Sequence, residues 1–256
     1  MALVVNADDF GISEEVNKAI SSCFNRQIID RTTIMVNMPD AVKGIDIAEK
    51  NGFFDKVGLH INLTEGTPLT DSIKENALFC DENGRFNQVF YHNTKLRLMM
   101  NARCVYDVEQ EIEAQIRLYR DFGFKLNHID SHHHVHTNLP VLKAIENLSK
   151  VYSFSSIRLS RNLYRGGSIP NRMYKLYYNS RVKKSCKNTT DYFGSFDDLC
   201  SYFDFSKDNG LEKLKNFVNK HDVEVMVHPL MNGAEVIDDN MPIERERILY
   251  EAVRKM

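Results

Sequence analysis

The sequence lacks the cysteine pattern of a disulfide-stabilised or zinc-finger protein. Its 256 residues include five cysteines, which is an odd number, and no two of them are spaced as CxxC. Disulfide frameworks use even sets of cysteines, and structural zinc sites of the cysteine type use closely spaced pairs. The pattern argues against both classes and predicts a protein of the reducing cytoplasm.

Long apolar runs and a large net charge are also missing. No stretch approaches the ~18 apolar residues that a membrane-spanning helix needs. The apolar start, residues 1–6, is too short for a signal peptide and has no basic segment. The 33 basic and 35 acidic residues give a formal net charge of −2, which provides no general attraction to nucleic acid or an anionic membrane. We therefore expect a cytoplasmic protein without a nucleic-acid or membrane partner.

Short apolar runs alternate with amphipathic stretches along the chain. No repeat, low-complexity tract or Gly/Ser/Pro-rich linker separates them, which predicts one domain over residues 1–256. Repeated β-then-α units imply parallel strands with right-handed crossovers, and about seven units fit a closed or nearly closed barrel. A doubly wound open sheet is the alternative, but no GxGxxG or Walker A sequence supports its nucleotide-binding form. The predicted strands are Leu3–Asn6, Thr32–Asn37, Val57–Leu63, Lys125–Asp130, Ser156–Leu159, Asp191–Gly194 and Val223–Val227.

The alternation is interrupted at about residues 64–104. This excursion contains Gly66, Pro68 and Asn83-Gly84, and a connection of that length is commonly functional or partly structured. The predicted helices are Glu14–Asn25 with Ser13 as its N-cap, Pro39–Lys50, Val105–Phe122, one opening at Pro140, Arg172–Lys184, Gly210–Lys220 and one opening at Pro242.

Polar side chains stand near the carboxyl ends of five predicted strands. They are Asp8-Asp9, His60, His132, Arg158 and His228. In α/β barrels, active sites are built at that rim. Side chains scattered by chance would not all select the same end, so the pattern predicts an active site there.

Asp8 and Asp9 place two carboxylates next to each other. Buried together and unpaired they would repel, and a divalent cation would relieve that cost. Adjacent residues of an ideal strand point to opposite faces, so the strand must be ending here, with Phe10-Gly11 as the turn. The alternative interpretation is an Asx-type turn that caps the first helix.

Residues 128–136, HIDSHHHVH, contain five of the nine histidines. A single histidine is more often a satisfied core or surface residue, but this cluster favours metal binding or catalysis. A catalytic metal takes about three protein ligands, so most of the five must support ligands or contact substrate. His133 has the wrong alternation and is excluded. On an extended segment one face would carry His128, Asp130, His132, His134 and His136.

Five strings of the chain together resemble the YdjC-like family, which includes chitooligosaccharide deacetylases. They are VVNADDFGIS, TTIMVNMP, VGLHINLTEGTPL, HIDSHHHVHTNLP and VEVMVHP, and they span Val4 to Pro229 in the family's order. The resemblance implies a deformed, TIM-like βα barrel related to the polysaccharide deacetylases. It also implies a metal-dependent hydrolase that removes N-acetyl groups from a chitobiose-like oligosaccharide and releases acetate.

The resemblance implies a role for five residues. Asp9, His60 and His132 would bind one divalent metal, Asp8 would be the general base and His228 the general acid. Two imidazoles and a carboxylate suit Zn²⁺, Fe²⁺, Mn²⁺ or Co²⁺ better than Mg²⁺, and ligand softness favours zinc, whereas family members have been assigned magnesium or zinc. Other residues are expected to contact substrate or support the ligands: Asp130 by orienting a histidine, Arg158 by holding a carboxylate, and His128, His134 and His136.

Other functions remain open from the sequence. An amidase or phosphoesterase could use the same barrel, two histidines and a carboxylate also suit a non-haem iron enzyme, and a non-catalytic carbohydrate-binding protein could keep the pocket. A glycosidase needs two carboxylates across the glycosidic bond, which adjacent Asp8 and Asp9 fit poorly. The tyrosine-rich stretch Met173–Tyr178 is either a homodimer interface or a packed helix.

Overall fold

A computed structural model describes residues 3–125, 128–164, 166–186, 188–205, 209–238 and 241–254. Seven parallel strands form a curled half-barrel flanked by helices, in the order β5-β4-β3-β2-β1-β7-β6. This confirms the prediction of about seven parallel strands in a TIM-like α/β fold. The strands are β1 Leu3–Phe10, β2 Arg31–Ile34, β3 Val57–Ile61, β4 His128–Ser131, β5 Ser156–Ile157, β6 Tyr192–Ser195 and β7 Val223–Val227.

Helices follow the strands in the expected alternation. They are α1 Glu14–Asn25, α2 Ala41–Lys50, α3 Asp71–Lys74, α4 Val89–His92, α5 Ala102–Asp121, α6 Leu139–Leu148, α7 Ile169–Ser185, α8 Phe196–Phe203, α9 Gly210–Val218 and α10 Glu244–Arg254. The Ser13 hydroxyl accepts a hydrogen bond from the Val16 amide, as expected of an N-cap. Helix α1 then buries Ala19, Ile20 and Cys23 on one face.

Several predicted boundaries move in the structure. The last helix begins at Glu244 rather than Pro242, because Pro242 belongs to a small antiparallel sheet. This sheet, formed by β8 Leu230–Asn232, β9 Glu235–Asp238 and β10 Met241–Pro242, was not predicted, and neither was α8. Within the predicted strand Lys125–Asp130, residues 126 and 127 lie outside the described residues.

The excursion after β3 packs against α5. It contains α3, α4 and a 3₁₀ turn over Thr94–Arg97, and it buries Ile73, Phe79 and Phe90. The buried carboxylate of Glu111 on α5 accepts hydrogen bonds from the Leu69 and Thr70 amides, at 3.0 and 2.9 Å. These contacts hold the excursion beside the carboxyl ends of the strands.

The two edge strands are joined by the segment that follows β5. The Asn162 amide donates to the Phe193 carbonyl at 3.0 Å, and the Phe193 amide donates to Asn162 Oδ1 at 2.7 Å. These bonds bring Arg158, just after β5, to the interior of the barrel opposite β1. In the part of the chain that the structure describes, no helix is both long and apolar enough to cross a membrane.

Candidate active site

Asp8 and Asp9 both reach the barrel mouth because β1 is irregular at its carboxyl end. The backbone of Asp9 is left-handed, with φ 67°. The pairing of β1 with β2 shifts register between Ala7 and Phe10. A bulge of this kind redirects a side chain, so two adjacent carboxylates serve one site within the strand. The alternative Asx cap is not observed, since Ser13 caps α1.

Asp9, His60 and His132 converge at this mouth. Asp9 Oδ1 lies 3.1 Å from His60 Nε2 and 2.6 Å from His132 Nδ1. One ligand atom from each residue lies within 4.8 Å of the others. Burial disfavours the Asp9 carboxylate, but hydrogen bonds from both imidazoles hold its pKa well below the usual range. The group therefore fits a divalent ion, because it offers two imidazole nitrogens and an ionised carboxylate.

His60 is held from behind by Asp130. Its Nδ1 lies 2.6 Å from Asp130 Oδ1, while the Thr33 hydroxyl donates to Asp130 Oδ2 at 3.0 Å. Burial lowers the pKa of His60, but the Asp130 charge and hydrogen bond overcome it and raise the pKa to about 10. A carboxylate behind an imidazole fixes the ring and leaves Nε2 facing the cluster, which is the usual arrangement behind a ligating histidine.

Asp8 is bound on both oxygens by the buried Arg158. Nη1 donates to Oδ2 at 2.6 Å and Nη2 donates to Oδ1 at 2.7 Å. The Asn6 amide also donates to Oδ1, at 2.7 Å. Burial would raise the pKa of Asp8, but the Arg158 charge and hydrogen bonds hold it well below the usual range. Asp8 is therefore a carboxylate at all working pH values.

His228 stands at the open side of the site. It follows β7, its side chain is 40% exposed, and Nε2 lies 3.9 Å from Asp8 Oδ2. Its backbone amide donates to Asp238 Oδ1 at 2.5 Å, which ties it to the small antiparallel sheet. The imidazole can therefore meet a substrate that enters from solvent beside Asp8.

The histidine run does not share one face beyond Ser131, because the strand ends there. Residues 132–137 form a 3₁₀ turn in which His133 and His134 are left-handed, with φ 51° and 54°. His132 is thereby turned toward Asp9. The excluded His133 lies next to His132, with ring centroids 4.0 Å apart, and stacks on Tyr91.

His128, His134 and His136 lie apart from Asp9. His128 Nδ1 lies 2.7 Å from the Ser156 hydroxyl, and His136 Nδ1 lies 2.6 Å from the Ser131 hydroxyl. Burial lowers the pKa of His128 and of His134 to about 3. Both are neutral imidazoles at working pH.

A cavity of about 180 Å³ adjoins the site. Its wall includes His133, His134 and Phe193, and Phe193 carries the Arg158 guanidinium 4.7 Å from its ring centroid. Tyr91 of the excursion lines the outer side. Phe193 therefore contacts Arg158 from the cavity wall, while Asp8 and Arg158 themselves do not line the cavity.

Sequence reasoning missed several polar groups that complete the site. Asn6 is two residues before Asp8, so strand alternation could have identified it. Thr33 and the buried Glu224 lie within the strings TTIMVNMP and VEVMVHP, and Arg31 directly precedes the first of these strings, but sequence reasoning assigned them no role. Their role becomes visible where they meet Arg158 and Asp130 in the barrel interior.

The chain is similar to known proteins over most of its length. A family model described as YdjC-like protein matches residues 2–254. A carbohydrate deacetylase of Clostridium beijerinckii is 30% identical over 90% of this chain and 81% of its own length. One of Vibrio parahaemolyticus is 32% identical over 90% and 78%.

A solved structure shows the same fold. It is a protein of Enterococcus faecalis V583, described provisionally as a cellobiose-phosphate cleavage protein. It has a TM-score of 0.65 with this chain, covers 99% of this chain and 91% of its own, and is 23% identical. At that identity the likeness concerns the fold alone.

Proposed function

The chain belongs to the YdjC-like protein family, and from that membership and the geometry of its site we propose that it is a metal-dependent carbohydrate N-deacetylase. The observation that carries the proposal is the convergence of Asp9, His60 and His132 beside the Asp8–Arg158 pair. Hydrolysis of an unactivated amide can use a metal ion that activates water and a carboxylate that accepts the water's proton. These residues would supply both.

The substrate of this proposal is an N-acetylated, chitobiose-like oligosaccharide, in keeping with relatives that are carbohydrate deacetylases. Its acetamide would lie between the Asp9–His60–His132 group and His228, and its sugar in the cavity lined by His134 and Phe193. The proposed setting is the cytoplasm, with no nucleic-acid or membrane partner. The proposal is compatible with either a monomer or a homodimer.

Asp9, His60 and His132 would hold the ion, with zinc favoured by two nitrogen ligands and Mg²⁺, Mn²⁺ or Co²⁺ as alternatives. When bound, a divalent ion polarises the acetamide carbonyl and acidifies water. Asp130 keeps the His60 ring turned so that Nε2 faces the site. This orientation is fixed before substrate arrives, so little reorganisation accompanies the reaction.

Asp8 is the proposed general base. Among the described residues, Oδ1 receives hydrogen bonds from Arg158 and Asn6, whereas Oδ2 receives one from Arg158. A carboxylate oxygen has two lone pairs, so Oδ2 can also accept the proton of the attacking water. The low pKa of Asp8 keeps it ionised at neutral pH but also makes it a weak base, so the role depends on a water that a bound metal would acidify.

His228 is the proposed general acid. Its Nε2 lies on the solvent side of Asp8 Oδ2, so a proton can pass to an amine that leaves toward the open mouth. Protonation is needed because an amine anion is a very poor leaving group. Acetate and the free amino sugar then depart.

Acetate release from N,N′-diacetylchitobiose tests the proposal. We expect release to stop after chelation and to return on addition of Zn²⁺, Mg²⁺, Mn²⁺ or Co²⁺, whereas His132→Ala should not recover because it lacks a ligand. Protein with bound metal that releases no acetate would contradict the proposal. Release of inorganic phosphate alone from the phosphorylated disaccharide would instead support a phosphoesterase.

His228→Gln should lower turnover of the sugar acetamide by about 10²–10⁴-fold, the range for loss of a positioned acid. The same variant should hydrolyse 4-nitrophenyl acetate nearly as well as the parent, because a nitrophenolate leaves without protonation. Parallel kcat measurements on the two substrates check this. Equal losses on both would show that His228 does not act on the leaving group.

A further inference from the structure

Five buried or partly buried side chains form a closed circuit inside the barrel. Arg158 donates from Nε to Glu224 Oε1 at 2.6 Å, and Glu224 Oε2 forms an ion pair with Arg31 Nη2 at 2.8 Å. Arg31 Nε donates to Asn6 Oδ1 at 2.9 Å, and Asn6 Nδ2 donates to Asp8 Oδ1 at 2.7 Å. The Asp8–Arg158 hydrogen bonds close the circuit.

The backbone of Glu224 lies well below that of Asp8, although one guanidinium joins their carboxylates. It pairs with Val4 in the sheet register, four residues before Asp8 on β1, which is roughly 13 Å along the strand at about 3.3 Å per residue. The Glu224 side chain is 1% exposed. Its carboxylate is connected to Asp8 through Arg158 and Arg31, and Glu224 Oε1 also lies 3.7 Å from His128 Nε2.

The circuit fixes the orientation of both donors to Asp8 Oδ1. A guanidinium is a rigid, planar fork, so the bond from Arg158 Nε to Glu224 sets the plane in which Nη1 and Nη2 face Asp8. The amide of Asn6 is oriented in a similar way by its hydrogen bond from Arg31. Arg31 can only donate, so it selects Oδ1 of Asn6 and leaves Nδ2 for the Asp8 carboxylate.

We propose that Glu224 and Arg31 are positioning residues that hold Asp8 so that Oδ2 faces the reacting water. This rests on the proposed function of Asp8 as general base. The Glu224 carboxylate is shared between two guanidinium groups, and Arg158 in turn pairs with Asp8, Asp130 and Glu224.

Glu224→Gln is the principal test, because it keeps the shape and removes the charge. We expect kcat on N,N′-diacetylchitobiose to fall by about 10²-fold, the cost of a misplaced catalytic group. KM should change by less than about twofold, since sugar contacts are untouched. Bound metal per chain should stay the same, and Glu224→Asp should recover part of kcat.

Arg31→Gln provides a second, milder variant, since Arg31 is 20% exposed. The kcat of the double variant Glu224→Gln/Arg31→Gln should fall less than the product of the single losses, because both act through one circuit. Glu111→Gln is the matched control: Glu111 is equally buried but binds the backbone amides of Leu69 and Thr70 rather than any member of the circuit. It should lower thermal stability without lowering kcat.

A spectroscopic readout separates this proposal from the proposed function. The Arg158 Nε–H should give a slowly exchanging side-chain NMR signal that Glu224→Gln abolishes and Glu111→Gln preserves. That pattern in a protein that releases no acetate would support the circuit and reject the deacetylase assignment. Unchanged kcat in folded Glu224→Gln and Arg31→Gln, or no protected Nε–H, would overturn the positioning role.

Discussion

Asp8→Asn is expected to lower deacetylase turnover by about 10²–10⁴-fold, the contribution of a positioned general base. An amide in place of the carboxylate cannot accept the proton of water at neutral pH. The ligand atoms of Asp9, His60 and His132 belong to other side chains, so metal content should stay at the level of the parent protein. Steady-state kcat and metal per chain, measured on the same preparation, check both statements.

Asp198→Asn is a matched control for this substitution. Asp198 is buried and bound by two nitrogens of Arg161, at 2.7 and 2.8 Å, much as Asp8 is bound by Arg158. Because Arg161 borders the cavity, the control substitution can change KM, so the kcat values of the two variants are compared. Near-normal turnover of Asp8→Asn with full metal occupancy would remove Asp8 from the role of base.

The strand pattern was easiest to predict where a strand is mainly apolar, as in β3 and β7. The exact start of α1 follows from one residue, Ser13, whose hydroxyl caps it. Helix α8 carries an equally local signal, a capping box between Ser195 and Asp198, and could have been found. The small sheet β8–β10 has no such signal, since its strands are only two to four residues long.

The candidate site was predictable only as far as strand ends reveal it. Position near the carboxyl end of a strand predicts that Asp9, His60 and His132 lie at one rim. The sequence predicts that Arg158 lies at the same rim and holds a carboxylate, but not that this carboxylate is Asp8, because that contact depends on how the segment after β5 closes against β6. The conformation of the histidine run could not be predicted either, since two left-handed residues, His133 and His134, end the alternation.

Arg158→Met is expected to destabilise the fold by about 3–5 kcal/mol at neutral pH, the cost of breaking a buried ion pair by removing one partner. Arg158 is fully buried and balances the carboxylates of Asp8, Asp130 and Glu224. Methionine fills part of the space but leaves those charges uncompensated. Denaturant unfolding of the parent protein and the variant at pH 7, with the metal removed from both, measures the difference.

The destabilisation caused by Arg158→Met should be smaller in acid, and the pKa of Glu224 gives the direction of this change. Burial raises its pKa, but Arg31 and Arg158 overcome this and lower the pKa from 4.5 to about 2. The stability from a depressed carboxyl pKa is present above pH 4.5 and is lost as the pH falls through 2. The difference in unfolding free energy between the parent and Arg158→Met should therefore decrease as the pH falls from 4.5 to 2. At neutral pH, the same difference should be smaller when both proteins also carry Glu224→Gln. A gap that is constant with pH would mean that Arg158 stabilises the barrel by packing on Phe193 rather than by its charge.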